Sequence, residues 1–232
     1  MSHSASMASV SRRTLTTLCS VFLLTLATNC WVLAQDPGKA LQFNGTTNYV
    51  NIGDKAALKP SSEITVETWV NAEQQTWYGC MLSNVWDTQL VESGYLLALD
   101  GSSGVYFGLT TQSGGLYSLQ ATNCITLNRW HHVAATYDGA TMKLYVDGIM
   151  KSSQTKAGSI DYEPANPLTF GKYRDDNEEF FFKGKIDEIR IWSVARTQQQ
   201  IQADLLGLFD APWAALTGPD FRRSLGLALA TP

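Results

Sequence analysis

At 232 residues the chain is long enough for one sizeable β-sandwich, and a second domain would have to be very small. Hydrophobic residues make up 44% and charged residues 16%, which describes a folded chain with a Ser-, Thr-, Asn- and Gln-based surface and excludes disorder outside the ends. The net charge of -4, with no Lys/Arg cluster after Arg13, excludes a nucleic-acid partner.

Near the N-terminus, Arg12 and Arg13 precede the apolar stretch Leu15 to Leu33, and Val32-Leu33-Ala34 offers small residues for cleavage. Residues 1–34 therefore read as an export signal, cut after Ala34, which predicts a secreted, extracellular protein with no membrane partner after cleavage. Two other readings stay open. A retained anchor needs about 20 residues to span a bilayer, but Thr14, Thr16, Thr17, Ser20, Thr25, Thr28 and Asn29 interrupt this stretch. A lipid on Cys30 would have to tolerate the bulky Asn29 before it.

Removal of the signal takes Cys19 and Cys30 with it and leaves Cys80 and Cys124. In an oxidising compartment these two could form a disulfide closing a loop of 44 residues (124 minus 80). Such a bridge would contribute about 4 kcal/mol in the chain-entropy view. The alternative is two separate buried thiols acting as small hydrophobes. No Cys-x-x-Cys spacing occurs, so a zinc site is not expected.

From Ala40 onward short strands recur between turns. Ala40 to Phe43 opens the first strand, Asn44-Gly45-Thr46-Thr47 turns, and Tyr49 to Ile52 resumes pairing. Ile64 to Val70 alternates, placing Ile64, Val66, Thr68 and Val70 on one face and Thr65, Glu67 and Trp69 on the other. Gly94 to Leu99 and Val105 to Leu109 flank the turn Asp100 to Gly104. Trp130 to Tyr137 and Met142 to Val146 form a hairpin around Asp138-Gly139, and Asp147-Gly148 makes the next turn. Leu168 to Gly171 and Gly184 to Trp192 supply later strands on either side of a polar loop, Lys172 to Glu179.

A helix is expected from Thr197, with Thr197 and Gln200 as a Thr-x-x-Gln capping box and Ile201, Leu205 and Leu208 as its apolar stripe. This helix would pack as a lid on the sandwich edge. The resulting division is a signal over 1–34, one domain over 38–207 and an irregular tail over 208–232.

Four segments in order resemble the laminin-G-like jelly roll of the concanavalin A-like lectin and glucanase superfamily, which includes pentraxins. They are Ala40 to Gly45 with Asn48-Tyr49-Val50, then Ile64 to Val70, then Trp130 to Gly139 with Leu144 to Gly148, and finally Phe182 to Trp192 with Ala195-Arg196-Thr197. The resemblance implies an all-β fold, a two-sheet antiparallel jelly-roll sandwich with a short C-terminal helix. That fold hosts lectins, adhesion modules, enzymes and spacers alike.

The resemblance also implies a calcium ion (Ca2+) where the first turn meets the last long strand, held by Asn44, the Gly45 carbonyl, Asn48 and Asp187. Only Asp187 is anionic, and the alternative is that Asn44 and Asn48 stabilise a tight turn while Asp187 accepts from buried amides. Asp175, Asp176, Glu178 and Glu179 occupy the loop where similar pentraxins bind calcium and ligand; a solvated acidic loop is the alternative. Asp161 and Glu163 could join either version. Asn44-Gly45-Thr46 is also the only glycosylation sequon.

Sugar rings stack on exposed aromatic faces, which makes the loop aromatics Trp77, Tyr78, Trp86 and Tyr173, with Asp175 and Asp176, the expected ligand contacts; Tyr117 also falls in a loop. Packing over the rim is the other reading of these rings, and Trp69, Trp130 and Trp192 are assigned to the core. Catalysis is not expected. A retaining glycosidase needs two carboxylates about 5.5 Å apart on one face, whereas Asp187 and Glu188 are neighbours, Glu67 stands alone on its strand, and the adjacent His131 and His132 lack a nucleophile. The expected function is a secreted carbohydrate-binding or adhesion module, calcium-stabilised, that takes extracellular glycan or protein through its loops. A glycoside hydrolase of the same fold and a structural protein-interaction module are the alternatives.

Overall fold

In a computed structural model the described residues are 40–88, 92–112, 115–164, 166–174 and 177–205. The expected signal, the tail, and Asp175 and Asp176 lie outside them. Two six-stranded antiparallel sheets face each other. The first has the order β1 (Leu41–Asn44), β14 (Lys183–Trp192), β3 (Ile64–Ala72), β8 (Trp130–Tyr137), β9 (Thr141–Val146), β10 (Ile149–Thr155). The second runs β2 (Val50–Gly53), β11 (Leu168–Phe170), β4 (Trp77–Asp87), β5 (Glu92–Asp100), β6 (Val105–Thr111), β7 (Gly115–Ala121). A small hairpin, β12 (Lys172–Arg174) with β13 (Glu179–Phe181), and a helix, α1 (Gln198–Leu205), complete the fold.

Strand alternation sorts the side chains. Ile64, Val66 and Val70 of β3 meet Leu97, Leu99 and Phe107 of the facing sheet in one continuous core. Part of each outer face is covered as well, where an antiparallel sandwich commonly leaves that face to solvent. On the first sheet, Ala134 and Tyr145 pack against Ile201 of α1. On the second, Cys80, Leu96, Ala98 and Tyr106 point outward and are roofed by Tyr173, a residue of β12.

Turn chemistry accounts for the secure elements. The expected β8–β9 hairpin forms with Val133 opposite Val146 and Tyr137 opposite Met142, and Asp138 Oδ1 accepts from the N–H groups of Ala140 and Thr141 at 3.0 and 2.7 Å. Asp147 (φ 51) and Gly148 (φ 70) supply the two positive angles of the following hairpin turn. The capping box is present: Thr197 N–H donates to Gln200 Oε1 at 2.9 Å and Gln200 N–H to Thr197 Oγ1 at 3.3 Å.

Three expectations are corrected. Trp77, Tyr78 and Trp86 belong to strand β4, not to loops, because bulges between Trp77 and Cys80 and between Cys80 and Leu82 break the period-2 pattern that would have revealed it. Tyr117 likewise sits in strand β7. The polar stretch beginning at Lys172 is the β12–β13 hairpin, with Tyr173 opposite Phe180. Finally, Cys80 and Cys124 are both free thiols. Cys80 is wholly buried and donates to Leu82 O at 3.0 Å, while Cys124 donates to Ala121 O at 3.1 Å; the reading as two separate thiols is the one that holds.

Candidate functional site

The outer face of the second sheet is apolar in the middle and polar at one end. Thr169 of β11 is in register with Asn51 of β2 on one side and Ser83 of β4 on the other, so three polar side chains form a row across adjacent strands. This row floors an open groove of about 350 Å3. Trp86 and Tyr49 flank it, and they are 42% and 47% exposed despite their apolar rings. Val85, Asp87, Thr88, Pro167 and Lys172 supply the remaining walls.

The polar groups of the groove are positioned by the backbone. Asn51 Oδ1 accepts the Gly53 N–H at 2.8 Å, which commits the amide oxygen and leaves the NH2 end for other partners. Thr169 Oγ1 donates toward Lys172 O at 3.0 Å and lies 3.3 Å from Ser83 O, which fixes the hydroxyl in the groove floor. Tyr173, stacked on Tyr78 with ring centroids 5.4 Å apart, donates a short hydrogen bond to Asp87 Oδ2. Lys172 Nζ contacts Glu179 Oε1 at 2.7 Å and stands 4.6 Å above the Tyr49 ring. The β12–β13 hairpin is therefore stapled to the groove by two side chains, one at each of its first two positions.

Gly171 sets the corner that delivers this hairpin. Its φ of 79 is in the left-handed region, and a Cβ there would collide with the Phe43 ring.

Of the expected ligand contacts, Trp86 lines the groove. Tyr173 is buried beside it as the partner of Asp87. Trp77 and Tyr78 lie at the opposite end of β4, edge to face at 5.1 Å, where Tyr78 joins the aromatic roof and Trp77 is exposed. Asp175 and Asp176 lie outside the described residues. Tyr49, Asn51 and Thr169 carry the groove but were not singled out as ligand contacts, since their meeting depends on β2 and β4 being joined through β11.

The residues implied for calcium are not brought together. Asn44 pairs with Lys183 on β14, and Asp187 lies four residues further on, opposite Trp69, roughly 13 Å away by strand rise. Asn44 Oδ1 already accepts from the N–H groups of Thr46, Thr47 and Asn48 at 2.9 to 3.0 Å, and its amide donates to Thr47 Oγ1 at 2.8 Å. Asp187 accepts from the Glu188 N–H at 2.8 Å, and burial raises its pKa above the usual carboxylate value. Calcium needs six to eight oxygens at 2.3–2.6 Å, and these donors do not fit it. Among the described residues no cluster of three acidic, His or Cys side chains offers an alternative.

Beneath α1 the first sheet buries an ionisable group that Glu67 anchors. Glu67 Oε1 accepts from Trp192 Nε1 at 3.0 Å, and Oε2 faces His132 Nε2 at 3.6 Å with both side chains fully buried. Burial first, and then the Asp204 carboxylate, push the Glu67 pKa up to about 7; burial pushes His132 down to about 3. Arg196 closes the group, donating to Asp204 Oδ2 at 2.6 Å while lying 4.1 Å over the Trp192 ring. His131 serves a turn: Thr126 N–H donates to its Nε2 at 3.0 Å, so Nδ1 carries the proton toward Asp147 Oδ2 at 2.8 Å. Asp147 is partly buried, but these contacts and the His132 N–H hold its carboxyl below the ordinary range.

Comparison with known proteins agrees with this architecture. The structure is similar to the carbohydrate-binding module of a Ruminococcus gnavus sialidase bound to alpha2,3 sialyllactose, with 13% identity, a TM-score of 0.58, and coverage of 72% of this chain and 96% of that one. A heptameric pentraxin from Limulus polyphemus has 16% identity and a TM-score of 0.52, over 71% of this chain and 80% of that one. At these identities the likeness shows the fold. In sequence, mouse Pappalysin-1 is 27% identical over 189 residues, 73% of this chain but 11% of that protein, so the chain spans a small part of this relative. Residues 44–202 match the family described as the concanavalin A-like lectin/glucanases superfamily, Laminin_G_3, and the chain belongs to that family.

Proposed function

We propose that the chain is a secreted carbohydrate-binding module that holds one or two sugar rings in the groove between Trp86 and Tyr49. The supporting observation is the pairing of two half-exposed aromatic rings with a row of amide and hydroxyl groups from Asn51, Thr169 and Ser83. Aromatic faces gain by covering the C–H face of a pyranose, and the polar row meets its hydroxyls. The resemblance to a module bound to a sialylated sugar supports the same class of ligand. The leader-like sequence up to Ala34 supports export.

Binding without hydrolysis is favoured because glycosidic cleavage needs two carboxylates across the bond, and among the described residues lining the groove Asp87 is the one carboxylate, already holding the Tyr173 hydroxyl. Protein capture along the open edge strand β10 is disfavoured by Lys151, an exposed charge in its middle. A glycan array on the purified chain and on Trp86→Ala tests the proposal. Sugar binding that drops at least tenfold in the variant is the expected result; an array on which wild type and variant behave alike would sink it.

A further inference from the structure

The far end of β4 bends out of its ladder. Gly79 N–H donates to Thr76 O at 2.9 Å, closing a tight turn over the first residues of the strand, and Tyr78 takes a positive φ of 52 within it. For a bulky aromatic residue that angle is a genuine outlier, and such outliers gather where a site needs its side chains held in one arrangement. A bulge between Trp77 and Cys80 accompanies it, and bulges re-aim side chains. Two neighbouring rings are thereby parted. Tyr78 packs against the outward cluster of the second sheet, while Trp77 is left 48% exposed, more than Trp86 or Tyr49 of the groove.

Although exposed, the indole is supported. The Tyr78 ring meets it edge to face, with centroids 5.1 Å apart and planes at 79°. Gly101 lies against it as well: a Cβ there would come within 3.3–3.4 Å of Trp77 Cα, Cβ and Cε3, so the bare backbone of Gly101 lets the ring sit close. A supported, half-exposed indole offers a flat apolar face and loses little freedom when a pyranose covers it.

This ring and the groove share one face of the second sheet. Val85, a groove wall, and Tyr78, the support of Trp77, pack against the same outward cluster. Nine positions separate Trp77 from Trp86 on β4, which sets them up to about 30 Å apart by strand rise. The one or two sugar rings placed in the groove do not reach that far.

We infer that Trp77 is a second stacking platform, and that the ligand is an extended polysaccharide running along β4 from the Trp86–Tyr49 groove to the Trp77 indole. The inference rests on the glycan reading above and adds the length of the ligand to it. Once the groove holds the sugar chain, contact with Trp77 becomes intramolecular, and the two contacts multiply in affinity.

The test is a titration of the purified chain with the sugar that the glycan array selects, at increasing length from disaccharide to the longest soluble oligomer. Affinity should rise at least tenfold between the shortest and longest members. Trp77→Ala should cancel that rise and bring the long oligomers down to the affinity of the short ones. Trp77→Leu, which keeps apolar bulk without the flat ring, should do the same, and it carries the comparison if circular dichroism shows Trp77→Ala unfolded. Affinity that ignores length, or a rise that the variants keep, would overturn the second platform while leaving the groove as a sugar site. No binding at any length, or binding indifferent to Trp86→Ala, would overturn the glycan reading itself and this inference with it.

Discussion

Asn84 and Asn166 hold each other's backbone: Asn84 Nδ2 donates to Asn166 O at 3.1 Å, and Asn166 Nδ2 donates to Asn84 O at 2.7 Å. Both are fully buried, and they lie 82 residues apart in the chain. Asn84 belongs to the groove strand β4, and Asn166 immediately precedes Pro167, a groove wall. The exchange ties a loop with no ladder of its own to the strand that carries Trp86.

Asn166→Ala removes one of these bonds and leaves the Asn84 carbonyl buried without its donor. A loss of about 1–3 kcal/mol is expected, visible as a drop in Tm of a few degrees. Because Pro167 is then released, affinity for sugar should fall as well. Unchanged Tm and affinity would show that the loop is held by something else.

Trp86→Ala, in contrast, should separate binding from folding. The ring is 42% exposed and lies at the end of its strand, so little core packing is lost and Tm should move by no more than about 2 °C. A large fall in Tm would place Trp86 among the structural rings instead.

The pair beneath α1 predicts the pH profile of stability. His132 is held neutral, with its pKa lowered from 6.5 to about 3. Its contribution is therefore present above pH 6.5 and is lost as pH falls from 6.5 toward 3. Glu67 is raised from 4.5 to about 7, so its contribution is present below pH 4.5 and is lost as pH rises toward 7. Between pH 4.5 and 6.5 the two slopes oppose each other, and melting followed across pH should show a plateau there, with a fall on each side. Glu67→Gln keeps an acceptor for Trp192 and removes the ionisation, so its advantage over wild type should grow from pH 5 to pH 8, to about 3 kcal/mol at most. A difference that stays constant over that range would rule out Glu67 as the titrating group.

Gly171→Ala should destabilise the protein by several kcal/mol, since the added methyl meets the Phe43 ring at a backbone angle that L residues disfavour. Circular dichroism melting reads this directly. A fully stable variant would mean that the corner can relax without moving the hairpin.

Calcium and reductant are expected to leave Tm unchanged. The Asn44 oxygen is committed to three backbone N–H groups, and Cys80 and Cys124 are free thiols. A ligand specific to the folded state must raise Tm, so a rise with millimolar calcium, reversed by chelator, would contradict this account of the Asn44 turn.

Much of the architecture was legible in the sequence because it is written in local chemistry. Alternation in Ile64 to Val70, the Asp138-Gly139 and Asp147-Gly148 turns and the Thr197–Gln200 box each act over a few residues, and each is present as expected. Where a bulge shifts the period, as in β4, that signal vanishes and Trp77, Tyr78 and Trp86 look like loop residues.

By itself, then, the sequence determined most of the strands, the turns between them and the two-layer class, since periodicity and turn residues are properties of neighbours in the chain. Tertiary structure alone decided the groove. Asn51, Ser83 and Thr169 come from strands far apart in sequence, and only the pairing of β11 with both β2 and β4 sets them in one row. Tertiary structure also decided that Cys80 and Cys124 stay apart, that Asp187 stands away from the Asn44 turn, and that Glu67 meets His132 with both side chains fully buried. The reason is the same in each case: which distant residues become neighbours is set by strand order and register, and those arise from the packing of whole sheets, not from any local run of residues.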